Sequence, residues 1–359
     1  MSAKQVQKIN KPLAVLISDV HYSMSTLDLA DTAFRAAIDE AARLKIPLID
    51  CGDLTNDKAI LRAEVVNTLI NTMKYAEDRG VKVHLLVGNH SLINEKGKEH
   101  ALNFLAPYAD IVSQHTTIFI NKTKIGMIPY QSSSEAFKNA VLEIEKTDVD
   151  CDIIITHQGF KGAFMGDYFQ DKTSVEPEFM EGYIVYSGHY HKHQTIGPIL
   201  YVGNPYTLSF GEANDGPKGY LVIGSDGSYK HVALKLRRHY FIDMHADYVV
   251  DLLHNNSPSE ALSYIPPYSP VKLRISGVTK PQLKVLKKAA IGAKFFGHTD
   301  FGLELVEVIS QSNDSSSGIP VQFQGAEGNT KLFDMLIDQL PGNDEDKTHL
   351  KAMWRKMMA

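Results

Sequence analysis

Residues 185–194 read VYSGHYHKHQ, an apolar run that stops at Gly188 and is followed by His189, His191 and His193. A strand ending this way can hold a metal, decorate a surface or pack against its neighbours. In extended chain, residues two apart point the same way, so His189 and His191 can face one site together. Working outward, the same construction recurs. LAVLIS (13–18) runs into Asp19 and His21, IPLIDC (46–51) into Gly52-Asp53, VKVHLLV (81–87) into Gly88-Asn89-His90, and CDIIIT (151–156) into His157. Taken singly, each has an ordinary reading: Asp-x-His as a turn and cap, Gly-Asn-His as a turn, His157 as a satisfied core histidine. Five strand ends that all offer oxygen and imidazole donors, and no thiol, are hard to obtain from packing needs alone.

The order of elements brings these ends together. LAVLIS reads as a buried strand, residues 26–45 have helical apolar spacing, IPLIDC is again a strand, residues 59–80 form a helix closed by Gly80, and VKVHLLVG is a third strand. This βαβαβ opening favours a parallel sheet with helical crossovers. Past Asp110 the rhythm becomes short strands, TTIFI, TKIGMIP, CDIIIT, GYIVYSG, PILYVG, GYLVIG and YKHVALKLR, with one helix near 134–146. The fold class expected is α/β (α+β), becoming a two-sheet sandwich near its middle. The carboxyl ends of such strands form one rim, where distant residues converge on a crevice.

The ordered set Asp-x-His, Gly-Asp, Gly-Asn-His, His and Gly-His-x-His resembles the calcineurin-like metallophosphoesterases over residues 13–243. The resemblance implies a four-layer αββα sandwich with a two-metal centre. Carried over by motif, Asp19, His21, Asp53 and His191 would hold one ion, and Asp53, Asn89, His157 and His189 the other, with Asp53 bridging. Two divalent ions can clamp a phosphate ester and make hydroxide available near neutrality. Mixed Asp, Asn and His ligation without thiolate suits manganese or iron, with zinc as a further choice. His90, beside Asn89, is the catalytic candidate that steadies the transition state or protonates the leaving oxygen. His193 lies outside the motif, as a supporting or surface residue. Many relatives have Gly where this chain has Ser23, and an acidic residue where it has Ser91; the second change removes a group that could orient His90.

The last third separates the substrate classes. Between Ala261 and Thr299 there is no Asp or Glu, while Lys272, Arg274, Lys280, Lys284, Lys287, Lys288 and Lys294 fall inside the stretch, although the whole chain carries a net charge of -5. A DNA backbone demands local Lys and Arg, not a basic protein overall; the plain alternative is a solvated helix face. Residues 310–330, rich in Ser, Gly and Gln, read as a flexible linker. In 331–359, Leu332, Phe333, Leu336, Ile337 and Leu340, then Leu350, Met353, Trp354 and Met357, recur at helical spacing.

This order resembles the SbcD-type nuclease subunit of DNA double-strand-break repair complexes. The resemblance implies a metallophosphoesterase domain over 1–243, a small α/β capping and DNA-binding domain over 244–309, the linker, and a helical tail that grips an SbcC-type ATPase. It also implies a homodimer, for which EAFKNAVLEIEK (135–146) or AEVVNTLINTMKYAE (63–77) could serve. The expected function is a manganese-dependent DNA exonuclease and endonuclease. The alternatives are a nucleotide phosphodiesterase or phosphatase, a protein phosphatase, and a degenerate DNA-binding scaffold.

Composition bounds these readings. With 43% hydrophobic and 22% charged residues the chain reads as globular, and Cys51 and Cys151 are too few for a disulfide framework and read as core thiols. The polar start, MSAKQVQKINKP, has no apolar signal core, and no apolar run approaches the roughly 18 residues of a membrane span. A cytoplasmic location is the expectation, with no membrane partner.

Overall fold

The computed structural model describes residues 9, 11–58, 60–93, 99–148, 150–166, 169–255, 265, 269–286, 291, 301–305, 308–309, 347–348 and 351. The chain divides into two compact units, 1–308 and 309–359. In the second unit the described residues are only 309, 347, 348 and 351, so the expected linker and the tail residues Leu332, Phe333, Leu336, Ile337, Leu340 and Trp354 lie outside the described residues.

Two six-stranded sheets form the body of the first unit. One contains β1 (Pro12–Ile17), β2 (Leu48–Asp50), β3 (Val83–Leu86) and β4 (Asp110–Val112) in parallel, extended by β11 (Gly219–Gly224) and β12 (Tyr229–Ala233) as antiparallel neighbours. The other holds β6 (Thr123–Ile128), β7 (Ile153–Thr156), β8 (Ile184–Ser187) and β10 (Ile199–Tyr201) in parallel. It is edged by β5 (Thr116–Ile120) and β9 (Gln194–Ile196), both antiparallel. Period-2 alternation sends successive residues to opposite faces. In β1, Leu16 enters the layer between the sheets with Ile49, Ile155 and Leu200, while Val15 and Ile17 face the helices.

The outer layers follow from helical spacing. In α1 (Leu27–Leu44) the buried residues Ala30, Ala33, Phe34, Ala37, Ile38 and Ala41 recur every three or four positions, and four alanines let the helix approach the sheet closely. It ends where Lys45 turns left-handed at φ 57° and returns its N–H to the carbonyls of Ala41 and Ala42. The second helix, α2 (Ala63–Asp78), covers the same sheet with Val65, Leu69, Met73 and Ala76. On the far sheet α3 (Ser134–Thr147), capped by Ser133 Oγ accepting from the Ala136 N–H at 3.1 Å, buries Phe137, Ala140, Val141 and Ile144. Helix, sheet, sheet, helix is the expected four-layer sandwich. Because α2 and α3 spend these apolar positions on their own sheets, a homodimer built on them would have to use their outward faces.

A smaller sheet follows in the chain. β13 (Tyr240–His245), β14 (Val271–Ser276) and β16 (Phe301–Leu305) are parallel, with α4 (Ala246–Asn255) between the first two. The two-residue strands β15 (Val278–Thr279) and β17 (Val308–Ile309) lie outside this sheet, and the short α5 (Lys280–Leu283) follows β15. The expected join after residue 243 falls inside β13, all six of whose residues pair with β14, so the change of sheet lies before Tyr240. YKHVALKLR, read as one strand, stops pairing at Ala233. Both cysteines are buried and free. Among the described residues no helix is long and apolar enough to cross a membrane.

Phe34 is fully buried at the centre of the α1 contact, beside Tyr22 at 6.4 Å between ring centroids. Phe34→Ala should lower unfolding free energy by about 3–5 kcal/mol, read from urea denaturation of chelator-treated protein. A loss under about 1 kcal/mol would contradict this packing.

Candidate metal centre

The strand ends meet because register aligns them. Ile17 pairs with Asp50, Asp50 with Leu85, and Thr156 with Ser187, so β1, β2 and β3, and β7 and β8, finish on common rims. Beyond the strands the β1 and β2 loops stay zipped together: the Asp19 N–H donates to Gly52 O, His21 N–H to Asp53 O, and Tyr22 N–H to Leu54 O, at 2.8–3.0 Å. The β7 and β8 ends are joined by the Gly188 N–H donating to Thr156 O at 3.0 Å.

The backbone here is held where side-chain-bearing residues seldom go. Among the described residues seven non-glycine positions have positive φ, and four of them are Asp19 (51°), His21 (51°), Asp53 (55°) and His189 (90°). Each such residue costs on the order of 1–3 kcal/mol and persists only where its surroundings over-determine it. Gly52 is a necessity of the same crowding: its φ is 109°, and a Cβ there would run into the His157 ring.

All seven residues expected from the sequence to ligate metal gather in this crevice. Asp53 is 2% exposed, with one carboxylate oxygen accepting the His90 N–H at 2.8 Å and the other 3.2 Å from His157 Nε2. His157 Nε2 also lies 3.1 Å from Asn89 Oδ1, which is 2.9 Å from His189 Nδ1. On the other side of Asp53, His21 Nε2 and His191 Nε2 face each other at 3.1 Å, and His191 Nε2 is 4.0 Å from Asp19 Oδ1. Asp19 is fixed by Ser18 Oγ donating at 2.6 Å and by the His189 N–H at 3.2 Å.

Partners outside the crevice set which ring nitrogens point in. His157 Nδ1 donates to Cys51 O at 2.8 Å and His191 Nδ1 to Glu212 Oε1 at 2.8 Å, leaving each Nε2 for the crevice. His90 Nδ1 donates to Asn56 O at 2.8 Å, and its ring stands edge-on to His21 at 4.9 Å. Ser91 is buried, and its hydroxyl has no hydrogen-bond partner among the described residues. The Asn56 carbonyl therefore does the orienting that an acid at position 91 could have done. Glu212, Ser18 and Asn56 were not singled out from the sequence. His193 departs from the crevice: Nδ1 donates to Tyr201 O at 2.7 Å and the ring stacks on His231 at 4.6 Å, so of the three readings of the Gly-His-x-His-x-His run it takes packing.

Electrostatics mark this as a cation site. Burial alone would push His157 down, but the Asp53 carboxylate outweighs it by charge and hydrogen bond and holds the ring up at about 9. Asp53 is itself held far below the usual carboxylate range: burial opposes this, and His157 and then His21 overcome it. His21 falls to about 4 through burial and then the nearby His191, and His189 to about 4 through burial and then His157. Asp53, Asn89 and His157 thus turn lone pairs toward one point, which only a proton or a cation can reconcile. Donor separations near 3 Å are also the edge lengths of a coordination shell with bonds of roughly 2.1 Å. The triads Asp19–His21–His191, His21–Asp53–His90 and Asp19–Asp53–His157 each bring ligand atoms close enough to hold an ion.

The basic residues of the last third are not at this crevice's donor set. Arg274 on β14 donates twice to Asp243 on β13, at 2.6 and 2.6 Å, and lies over the Phe241 ring at 4.6 Å; Lys272 stands 5.8 Å from the same ring. Lys280 and Lys284 are exposed, and Lys287, Lys288 and Lys294 lie outside the described residues.

The strand ends of this four-layer sandwich bring Asp, Asn and His donors together in a crevice that could hold metal ions. Residues 14–193, which contain all seven donors and make up half of the chain, match the calcineurin-like phosphoesterase family, and the chain belongs to that family. It is similar to exonuclease subunit 1 of Enterobacteria phage T4, 25% identical over 186 residues, 50% of this chain and 52% of that one. The chain thus spans about half the length of that relative. A protein of unknown function from Aquifex aeolicus, of solved structure, matches at 16% identity and a TM-score of 0.26 over 41% of this chain and 80% of that one, a likeness too slight to carry an argument.

The histidine shifts give a signed pH profile for chelated protein. Between about 4 and 6.5, unfolded His21 and His189 hold more protons than folded ones, so stability rises with pH. The contribution of His157 is full below 6.5 and is lost as pH climbs through about 9. Urea denaturation in EDTA should therefore show greatest stability near pH 6.5, falling on both sides. Stability that keeps rising toward pH 9 would contradict the His157–Asp53 pairing.

Proposed function

We propose that this chain is a two-metal DNA nuclease, cutting phosphodiesters as exonuclease and endonuclease, and the catalytic subunit of an assembly with an SbcC-type ATPase. The observation that carries the reading is Asp53, buried between two donor groups. In this reading Asp19, His21, Asp53 and His191 hold one divalent ion, and Asp53, Asn89, His157 and His189 the other. Manganese suits the thiolate-free set, with iron or zinc as alternatives. Bound there, the ions would neutralise charge on the phosphoryl oxygens and make hydroxide available near neutral pH.

The chain's own residues do the rest. Ser18 and the His189 amide hold Asp19, the Cys51 carbonyl holds His157, and the His90 amide holds Asp53 in place. With Nδ1 committed to the Asn56 carbonyl, His90 has Nε2 left to carry a proton for the leaving oxygen. Lys272, Lys280, Lys284, Lys287 and Lys288 of the acid-free stretch are the cations with which we would have a DNA backbone interact, and of these Lys280 and Lys284 are exposed. Arg274, already paired with Asp243, is the weakest of that set. Similarity to a protein named as an exonuclease subunit supports both the nuclease and the assembly.

A second reading keeps the chemistry and shrinks the substrate. A cavity of about 380 Å³ beside His189 and His191, lined also by Met165, Tyr190, Lys192 and Ser209, has room for one nucleotide, as a nucleotide phosphodiesterase would need.

The deciding assay sets linear duplex and hairpin DNA beside cyclic and nucleoside phosphates, with manganese. DNA cleavage with little nucleotide turnover is expected; rapid nucleotide turnover with intact DNA would reverse the order of the two readings. His90→Ala should keep its manganese yet lose roughly 2 to 4 powers of ten in rate, whereas Asp53→Asn should lose both. Metal loss from the His90 variant, measured by elemental analysis, would overturn the division of labour.

A further inference from the structure

Glu212 belongs to a short 3-10 turn, Phe210–Glu212, and no strand-end motif contains it. It is 7% exposed, and both of its carboxylate oxygens are committed. Oε1 accepts from His191 Nδ1 at 2.8 Å, while Oε2 accepts from Asn204 Nδ2 at 2.8 Å and the Leu208 N–H at 3.0 Å. Lys218, 4% exposed, stands 3.6 Å from Oε2 and donates to Asn204 Oδ1 at 2.5 Å, Asp215 Oδ2 at 2.5 Å and the His191 carbonyl at 2.9 Å. His191 is thereby gripped at two places, its ring by Glu212 and its backbone by Lys218. Asn204 ties the two grips into a closed circuit.

The arrangement is expensive unless it serves the ring. A carboxylate and an ammonium taken out of water cost several kcal/mol each after relaxation, and their mutual attraction seldom more than offsets that. Lys218 already has Asp215 at 2.5 Å as its nearer counter-charge, so Glu212 is not needed to neutralise it. What Glu212 alone does is fix which nitrogen of His191 carries the hydrogen and how the ring is turned. A carboxylate behind an imidazole in this way raises the ring's strength as a ligand.

We propose that Glu212 is a positioning residue that aims His191 Nε2 at a divalent ion, with Lys218 and Asn204 anchoring the carboxylate. The proposal rests on His191 being a ligand and on nothing about the substrate. Manganese alone is the probe, titrated by calorimetry into chelator-stripped full-length protein. Wild type takes up two ions and His191→Ala one. Glu212→Gln keeps an acceptor but removes the charge; Glu212→Asp keeps the charge beside Lys218 but draws it back from His191. Each should weaken one of the two ions by roughly 10–100-fold while melting in EDTA as wild type does.

Wild-type affinity for both ions in the two variants would overturn the proposal. So would an Asp variant that binds as wild type while the Gln variant loses stability and metal together, since Glu212 would then be only a structural counter-ion. If Gln does not fold, the Asp variant decides. Two ions still bound by His191→Ala would refute the ligand assignment itself, whereas one ion there and two ions at wild-type affinity in both Glu212 variants refutes only the positioning role.

Discussion

A carboxylate at 2% exposure, with a histidine ring 3.2 Å from one oxygen and a backbone N–H on the other, is the constraint around which this fold is organised. An ionised Asp53 in so dry a place needs positive charge close by. The protein answers by placing His157, His21 and His90 about it, with the outer nitrogens of His157 and His90 each donating to a backbone carbonyl. The left-handed backbone at Asp19, His21, Asp53 and His189 is the other side of that arrangement. Strain that no stability argument would favour is held in place by zipped loops between neighbouring strand ends, and recovered as a set of converging lone pairs.

That convergence depends on the sandwich beneath it. Two parallel cores share an apolar layer, Leu16, Ile49 and Leu86 from one side meeting Ile153, Ile155 and Tyr186 from the other. The layer fixes the distance between rims, and so lets His157 from beyond β7 reach Asp53 from beyond β2, and His189 from beyond β8 reach Asn89. Whatever chemistry the protein performs is set by the rim and not by the layers, since one scaffold can carry many chemistries. The calcineurin-like family match spans this rim.

The donors were legible in the sequence because each follows an apolar run and strand ends share a rim whatever the chain separation. The helices were legible where a single face is apolar, as in α1. Less was readable where the signal is short or non-local. β4 and β9 are three residues each, too brief for period-2 alternation to stand out. Glu212 sits in a polar stretch, LSFGEANDGPKG, where an acid looks like any surface acid until folding sets it against a ring 21 positions away. The support for His90 comes from a main-chain carbonyl, which every residue has and no sequence marks. His193 reads like its neighbours but packs, because at that point the chain has turned and Tyr201 O takes its Nδ1. Arg274 reads as a free cation until register sets Asp243 across from it.

In the proposed reading the buried Asp53 carboxylate is shared by two divalent ions. Anomalous diffraction from crystals grown with manganese tests it directly. Two peaks roughly 3.5–4 Å apart are expected, with Asp53 between them, His191 on one and His157 on the other. A single peak, or a pair that leaves Asp53 bound to only one ion, would contradict it.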